Sequence, residues 1–325
     1  MGSRFSVRTR LAGWLAVLLL LLAPLPGRAQ EVVRFMPQWT PQAQFAGYYV
    51  ALEKGFFDEE GLTVVLDHFG GNSSETAIGR LASGEVDIVT SQLISAMVGR
   101  ERGIPMVNVL QTSQVSGLMC AAHFPIGDPQ ALDGRKVGRW KVGFGEICDI
   151  FCHRNGLSLN WIPYIHGINL YVSGAVDALL CYSYNEFIQL ELATGGIPPQ
   201  NIIRFADEGI DYPEDGLYVT ERYYRLHRET VDKFVRASRR GWDYVRAHPD
   251  EALEITMDFI NEFKVVTNRT VQRRMLEEIL RLQVNPATGI ADYAPIEAAR
   301  FDELARLLRE TGCLEKIPVY KEMIR

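Results

Sequence analysis

The chain is poor in cysteine and histidine, and positive charge is in deficit. Five Cys stand among 325 residues. Their odd number and loose spacing exclude a disulfide-stapled scaffold. The six His are scattered. No HExxH, GxSxG or P-loop occurs, so no hydrolase, zincin or NTPase signature is present. With 34 Lys and Arg against 40 Asp and Glu, the basic footprint that nucleic-acid binding requires is missing. Low-complexity tracts and flexible linkers are absent, as is any long apolar run beyond the N-terminus.

The one apolar run, Leu11 to Leu25, follows Arg4, Arg8 and Arg10 and ends in Gly27-Arg28-Ala29. At about 15 residues it falls short of the roughly 20 needed to span a bilayer. It predicts an export signal over residues 1–29, cut after Ala29. No Cys lies near the cut, so no lipid anchor is expected. The signal contains four Arg and no acid, which leaves 296 residues with 30 basic and 40 acidic side chains, a net charge of −10. That length accommodates two lobes with separate cores, and the location implied is outside the cytoplasm, periplasmic.

Strand and helix signals alternate, which predicts an α/β fold. Strands are expected over Val32–Met36, Thr63–His68, Gly84–Val89 and Met106–Gln111. Helices are expected over Gln42–Lys54, stopped by Gly55, over Glu75–Ser83, capped by Ser73 or Ser74, and over Leu93–Arg102. A second lobe starts near Met119. It has a turn and strand at Leu132–Gly138, a helix over Glu146–Asn155, a short helix after Ile165–Ser173 and a strand entered from Gly174–Leu180. The runs Ser83-Gly84-Glu85-Val86-Asp87 and Ser173-Gly174-Ala175-Val176-Asp177 echo each other, once per lobe. From Thr230 onward the pattern is helical: Val231–His248, Asp250–Asn261, Val271–Val284 and Pro295–Thr311. The expected organisation is lobe one over 30–115, lobe two over 116–210, and a return to lobe one with C-terminal helices over 211–325. Hinge crossovers lie near 112–120 and 204–218.

Open α/β sheets hold ligands outside the carboxyl ends of their strands. Trp39 sits at such an end and offers a stacking face. Ser91, Gln92 and Ser95 stand where a strand becomes a helix, with free N–H groups suited to a polar ligand or capped by Ser91 itself. Gly70-Gly71-Asn72 is a similar turn. Trp140 and Phe144 flank a glycine turn that lacks the third glycine of a dinucleotide fingerprint. Phe45, Tyr48 and Tyr182 add aromatic surface around the expected cleft, and Glu186 and Asp215 add acids. Glu186 reads either as a ligand acceptor or as a first-turn acid favoured by the helix dipole. Cys148 and Cys152 share a helix face beside His153, a spacing open to a metal, a disulfide or plain burial; buried small residues are the reading preferred, with no metal or cofactor expected.

The phrase Tyr49-Val50-Ala51-Leu52-Glu53-Lys54-Gly55-Phe56-Phe57-Asp58-Glu59-Glu60-Gly61-Leu62, with the strand and Trp39 before it, resembles the first βα unit of solute-binding proteins of ABC importers. The resemblance covers nearly all of the chain after the signal. It is nearest to binders of thiamine-pyrimidine precursors, with sulfonate, nitrate and riboflavin binders as cousins. It implies a two-lobed, type II-like periplasmic-binding-protein fold, a monomer that hands a small solute to an ABC permease, and no catalysis. It also implies ligand contacts from Trp39, from the Tyr182-Ser183-Tyr184-Asn185-Glu186 run, and from Asp211–Gly216 at the second hinge. The same superfamily contains a eukaryotic pyrimidine synthase that consumes its own histidine and needs iron. Its lysine and histidine match Ser91 and Ser95 here, and its cysteine-rich loop matches Asp211–Gly216, which has none.

Overall fold

The computed structural model describes residues 30–68 and 76–325. The expected signal over 1–29 and the turn carrying Gly71 and Asn72 lie outside the described residues.

Two five-stranded sheets organise the molecule. The first has the order β2-β1-β3-β10-β4 and the second β7-β6-β8-β5-β9. The strands of the first are β1 Glu31–Met36, β2 Leu62–Leu66, β3 Ile88–Ser91, β4 Met106–Gln111 and β10 Gly216–Thr220; those of the second are β5 Leu118–Ala122, β6 Lys136–Trp140, β7 Asn160–Tyr164, β8 Ala178–Tyr182 and β9 Ile202–Arg204. The chain therefore crosses between sheets twice, after β4 and after β9. Each sheet receives one antiparallel strand beside a crossover: β10 against β3 and β4, and β5 against β8 and β9. Strands β3, β4, β5 and β8 are buried throughout. That matches their largely apolar sequences, because a strand with both faces covered has no solvated side to show.

The sequence echo has a physical basis. Asp87 takes the backbone N–H of Arg34 at 2.9 Å, and its own N–H donates to Arg34 O at 2.8 Å. Asp177 repeats both bonds with Lys136, each at 2.8 Å. In both lobes a carboxylate pins the neighbouring strand where its ladder begins, so the acid is dictated by strand pairing.

Lobe one is closed from outside by the helix Arg228–Ala247, which crosses Ala46–Glu53. The helices meet at glycines: a Cβ on Gly241 would lie 2.0 Å from Gly47 O, and one on Gly47 would strike the Trp242 ring at 2.2 Å. Trp242 is wholly buried and meets Tyr48 edge-on with ring centroids 5.8 Å apart.

Several expectations need correction. The third strand is Ile88–Ser91, not 84–89, because residues 84–87 form the turn that carries the pinning Asp87. The helix ending at Ser83 starts at Ala77, and its observed cap is Thr76, which accepts from Gly79 N. A short helix, Glu221–Leu226, capped by Thr220, precedes the long one, which begins at Arg228. Strands β7 and β9 were not expected.

Candidate functional site

The carboxyl ends of both sheets face one cleft. In lobe one, β1 runs out into Gln38 and Trp39, and β3 runs out into Gln92. Because β10 is antiparallel, the residues that lead into it, Glu214 and Asp215, arrive at that same end: Gly216 pairs with Ser91 on one side and Gln111 on the other. In lobe two, β6 ends at Trp140, β7 at Tyr164 and β8 at Tyr182, with Leu118 of the antiparallel β5 opposite Tyr182.

The lobe-two wall is aromatic. Trp140 lies 4.3 Å from Phe144, 5.4 Å from Tyr164 and 5.2 Å from Tyr182 between ring centroids, and Tyr182 stacks on Tyr184 at 4.8 Å. Glu186 folds back beneath this wall. It accepts from Trp140 Nε1 at 3.3 Å, Tyr182 N at 3.2 Å and Asn185 Nδ2 at 3.2 Å. Asn185 also accepts from Gln189 at 2.9 Å. Burial pushes the Glu186 carboxyl up to about 7.

Lobe one supplies amides and two adjacent acids. Gln38 Nε2 and Gln44 Nε2 donate to the same oxygen, Oδ1 of Asp215, at 2.9 and 2.7 Å. Oδ2 of Asp215 is buried without a hydrogen-bond partner. Glu214 accepts from Ser116 Oγ at 2.6 Å and Gly117 N at 3.1 Å, which ties the two crossovers together. Burial raises Glu214 to about 8 and Asp215 to about 7. Neither these two acids nor Glu186 has a Lys, Arg or His among the groups that set its charge state.

The lobes touch through two hydrogen bonds beside this cluster: Gln92 Nε2 to Tyr182 OH at 2.9 Å, and Gln44 Nε2 to Tyr184 OH at 3.3 Å. Between the lobes lies a cavity of only about 10 Å³ whose lining includes Gln92, Ser116, Phe144, Tyr182, Tyr212 and Glu214. That is room for about one water molecule, so a solute can enter only when the lobes part.

The expected residues are thus distributed unevenly. Gln92, Trp140, Phe144, Tyr182, Asn185, Glu186 and Asp215 come together. Trp39 is half-buried in the turn after β1, next to Gln38, and its carbonyl meets His68 Nδ1 at 3.1 Å. Ser95 is half-buried on the helix Leu93–Glu101, whose N-cap is Gln92 rather than Ser91; Ser91 is buried as the last residue of β3. Phe45 and Tyr48 lie elsewhere than expected. Both are buried in the lobe-one core, where Tyr48 sits between Phe35 and Trp242, because the first turn of their helix faces the sheet. Cys148 is buried and free, and burial pushes its thiol up to about 12; Cys152 is free as well. Among the described residues no group of three His, Cys, Asp or Glu could hold a metal ion. Gln38 and Gln44 were not singled out by sequence, and Tyr184 entered only as part of the Tyr182–Glu186 run. A glutamine carries no motif, and only the register of β10 reveals that two of them face an acid.

Comparisons with known proteins agree with this architecture. A riboflavin-binding protein, RibY of Chloroflexus aurantiacus, is 27% identical over 295 residues, covering 88% of this chain and 82% of that one. A formylaminopyrimidine-binding protein of Halalkalibacterium halodurans is 28% identical over 268 residues, covering 79% of each. A 4-amino-5-hydroxymethyl-2-methylpyrimidine phosphate synthase of Aspergillus parasiticus is 28% identical over 264 residues, covering 76% and 75%. In structure, the periplasmic aliphatic sulphonate binding protein SsuA of Escherichia coli superposes with a TM-score of 0.65 at 13% identity, covering 88% of this chain and 94% of that one. The fold is that of periplasmic binding proteins. The family model described as NMT1/THI5 like matches residues 42–252, well over half of the sequence, and the chain belongs to that family.

Proposed function

We propose that this protein is the extracytoplasmic solute-binding component of an ABC importer, and that its solute is a small, flat, nitrogen-containing heterocycle of the thiamine-pyrimidine-precursor kind. The observation that carries this reading is the composition of the cleft: an aromatic wall, two glutamine amides and three buried carboxyls, with no cation beside the acids. A sulfonate or nitrate would find no cation among these groups to pair with its charge, and burying an unpaired charge is costly. A ring with N–H groups suits the same surroundings, stacking on Tyr182 or Trp140 and donating to the acids. Riboflavin, which also combines a flat ring with an N–H, is the second reading, favoured by the RibY relative.

The mode of action is hinge closure. Two lobes joined by two crossovers trap the solute between their strand ends, and a membrane permease recognises the closed form. No helix among the described residues is long and apolar enough to cross a membrane, which fits a partner that stays outside the bilayer. Catalysis is not part of the reading. Ser91 and Ser95 stand where the resemblance puts the related synthase's lysine and sacrificed histidine, so both of those groups are missing.

Native mass spectrometry of the protein purified from its host, with calorimetry against aminopyrimidines, riboflavin and alkanesulfonates, tests the reading. A carried-over mass matching a heterocycle supports it. Binding of an alkanesulfonate alone would overturn it, and a pyrimidine product formed from pyridoxal phosphate in the presence of iron, with loss of a protein side chain, would overturn the non-catalytic assignment.

A further inference from the structure

Asp215 is built unlike an ordinary buried acid. It is the residue before β10, at the carboxyl ends of β1 and β3, and its backbone adopts φ 57. The carbonyl of Asp215 accepts from Thr112 N at 3.1 Å, which fixes the strained turn. The carboxyl group is then held from one side only. Gln38 and Gln44 both donate to Oδ1, while Oδ2 is buried and has no partner. Gln44 cannot swing freely, since its own Oε1 accepts from Gln42 and its Nε2 also reaches Tyr184 OH of lobe two. The titratable groups around Asp215 are Glu214, Tyr48, Tyr182 and Tyr184, none of them a cation.

Resting on the function proposed above, we propose that Oδ2 of Asp215 is the acceptor that reads a donor edge of the solute, an exocyclic amine or a ring N–H, and so sets specificity for N–H-bearing heterocycles. Two amides saturate Oδ1 and orient the carboxylate plane. Oδ2 is left as the oxygen of this carboxyl group that the protein does not satisfy, and a buried acceptor without a donor is costly. A ligand N–H removes that cost, whereas an analogue lacking it leaves the orphan in place. A site built to hydrogen-bond a substrate group rejects the analogue without that group far more strongly than an apolar pocket rejects a missing methylene.

The test edits the ligand and the residue together. Wild type, Asp215→Asn and Asp215→Gly are titrated calorimetrically at pH 8, where the Asp215 carboxyl is ionised, with two ligand pairs: 4-amino-5-hydroxymethyl-2-methylpyrimidine with its analogue lacking the 4-amino group, and riboflavin with N3-methylriboflavin. Asn and Gly both tolerate positive φ, and melting curves verify that the variants fold. Wild type should prefer the N–H-bearing member of whichever pair it binds by at least about tenfold. Both variants should bring that preference to within about twofold, by weakening the N–H-bearing ligand and leaving its analogue nearly unchanged. A folded Asp215→Asn that keeps the full preference overturns this inference alone. Wild type that binds neither heterocycle overturns the proposed function and this inference together.

Discussion

Trp39 follows Gln38 out of β1 and is half-buried, so its ring is neither a core element nor fully solvated. On the proposed reading it forms the lobe-one face of an aromatic clamp whose other face is Tyr182. Trp39→Ala should then weaken heterocycle binding by about 1–3 kcal/mol, by analogy with base–aromatic stacking, or roughly 5- to 150-fold. The melting temperature should stay nearly unchanged. Calorimetry beside a melting curve separates the two effects, and unaltered affinity with a collapsed melting temperature would return Trp39 to the core. Individual residues were legible where a strand end announced itself: Trp140, Tyr182, Asn185 and Glu186 each close or follow a strand. Tyr48 was not, because an aromatic in the first turn of a helix carries no mark of which face it takes. Its neighbour Trp242 is nearly 200 positions away in sequence.

At the scale of elements, the packing of Ala46–Glu53 on Arg228–Ala247 depends on the absence of two side chains. Gly241→Ala would place a methyl 2.0 Å from the carbonyl of Gly47, and backbone cannot rotate away as a flexible side chain can. The helices must separate, at a cost of about 1–3 kcal/mol typical of overpacking. Urea denaturation should report a lower midpoint with an unchanged slope; a midpoint equal to wild type would mean that the crossing is looser than described. Elements with strong apolar runs were readable, and β4 was expected over the residues it occupies. β7 was missed because Asn160-Trp161-Ile162-Pro163-Tyr164 contains a proline, which demotes a central strand but is tolerated at a sheet edge, where β7 lies. β9 has only three residues, too few for any period to appear.

At the scale of the whole molecule, three buried acids couple stability to pH. Burial holds Glu186 at about 7, Glu214 at about 8 and Asp215 at about 7, against ordinary values of 4.5, 4.5 and 3.8. A folded-state value above the unfolded one means that the folded form keeps a proton which the unfolded form has lost. The stability so contributed is fully present below the unfolded value and is lost as pH rises through the folded one. Each acid removes up to about 1.4 kcal/mol per pH unit across its interval. The melting temperature should therefore fall between about pH 4, where the unfolded acids ionise, and about pH 8, where the last folded one does, and Glu214→Gln should flatten the upper part of that decline. His68, which burial lowers from 6.5 to about 4, opposes the decline between those two values and is neutral in both states at higher pH. A flat profile in the wild type would show the acids to be more hydrated than the closed lobes allow. The two-lobed plan was legible because the Ser-Gly-x-x-Asp unit recurs, whereas the cleft chemistry was not, since it depends on where β10 re-enters. That re-entry also sets a timetable for synthesis. Lobe two is contained between Leu118 and Arg204, but the sheet of lobe one lacks its fourth strand until Thr220 has been made. A nascent chain released after about residue 210 should hold a protected second sheet while β4, whose one neighbour in the sheet is β10, exchanges its amide protons freely. The later half of the polypeptide would then be the template on which the earlier half completes itself.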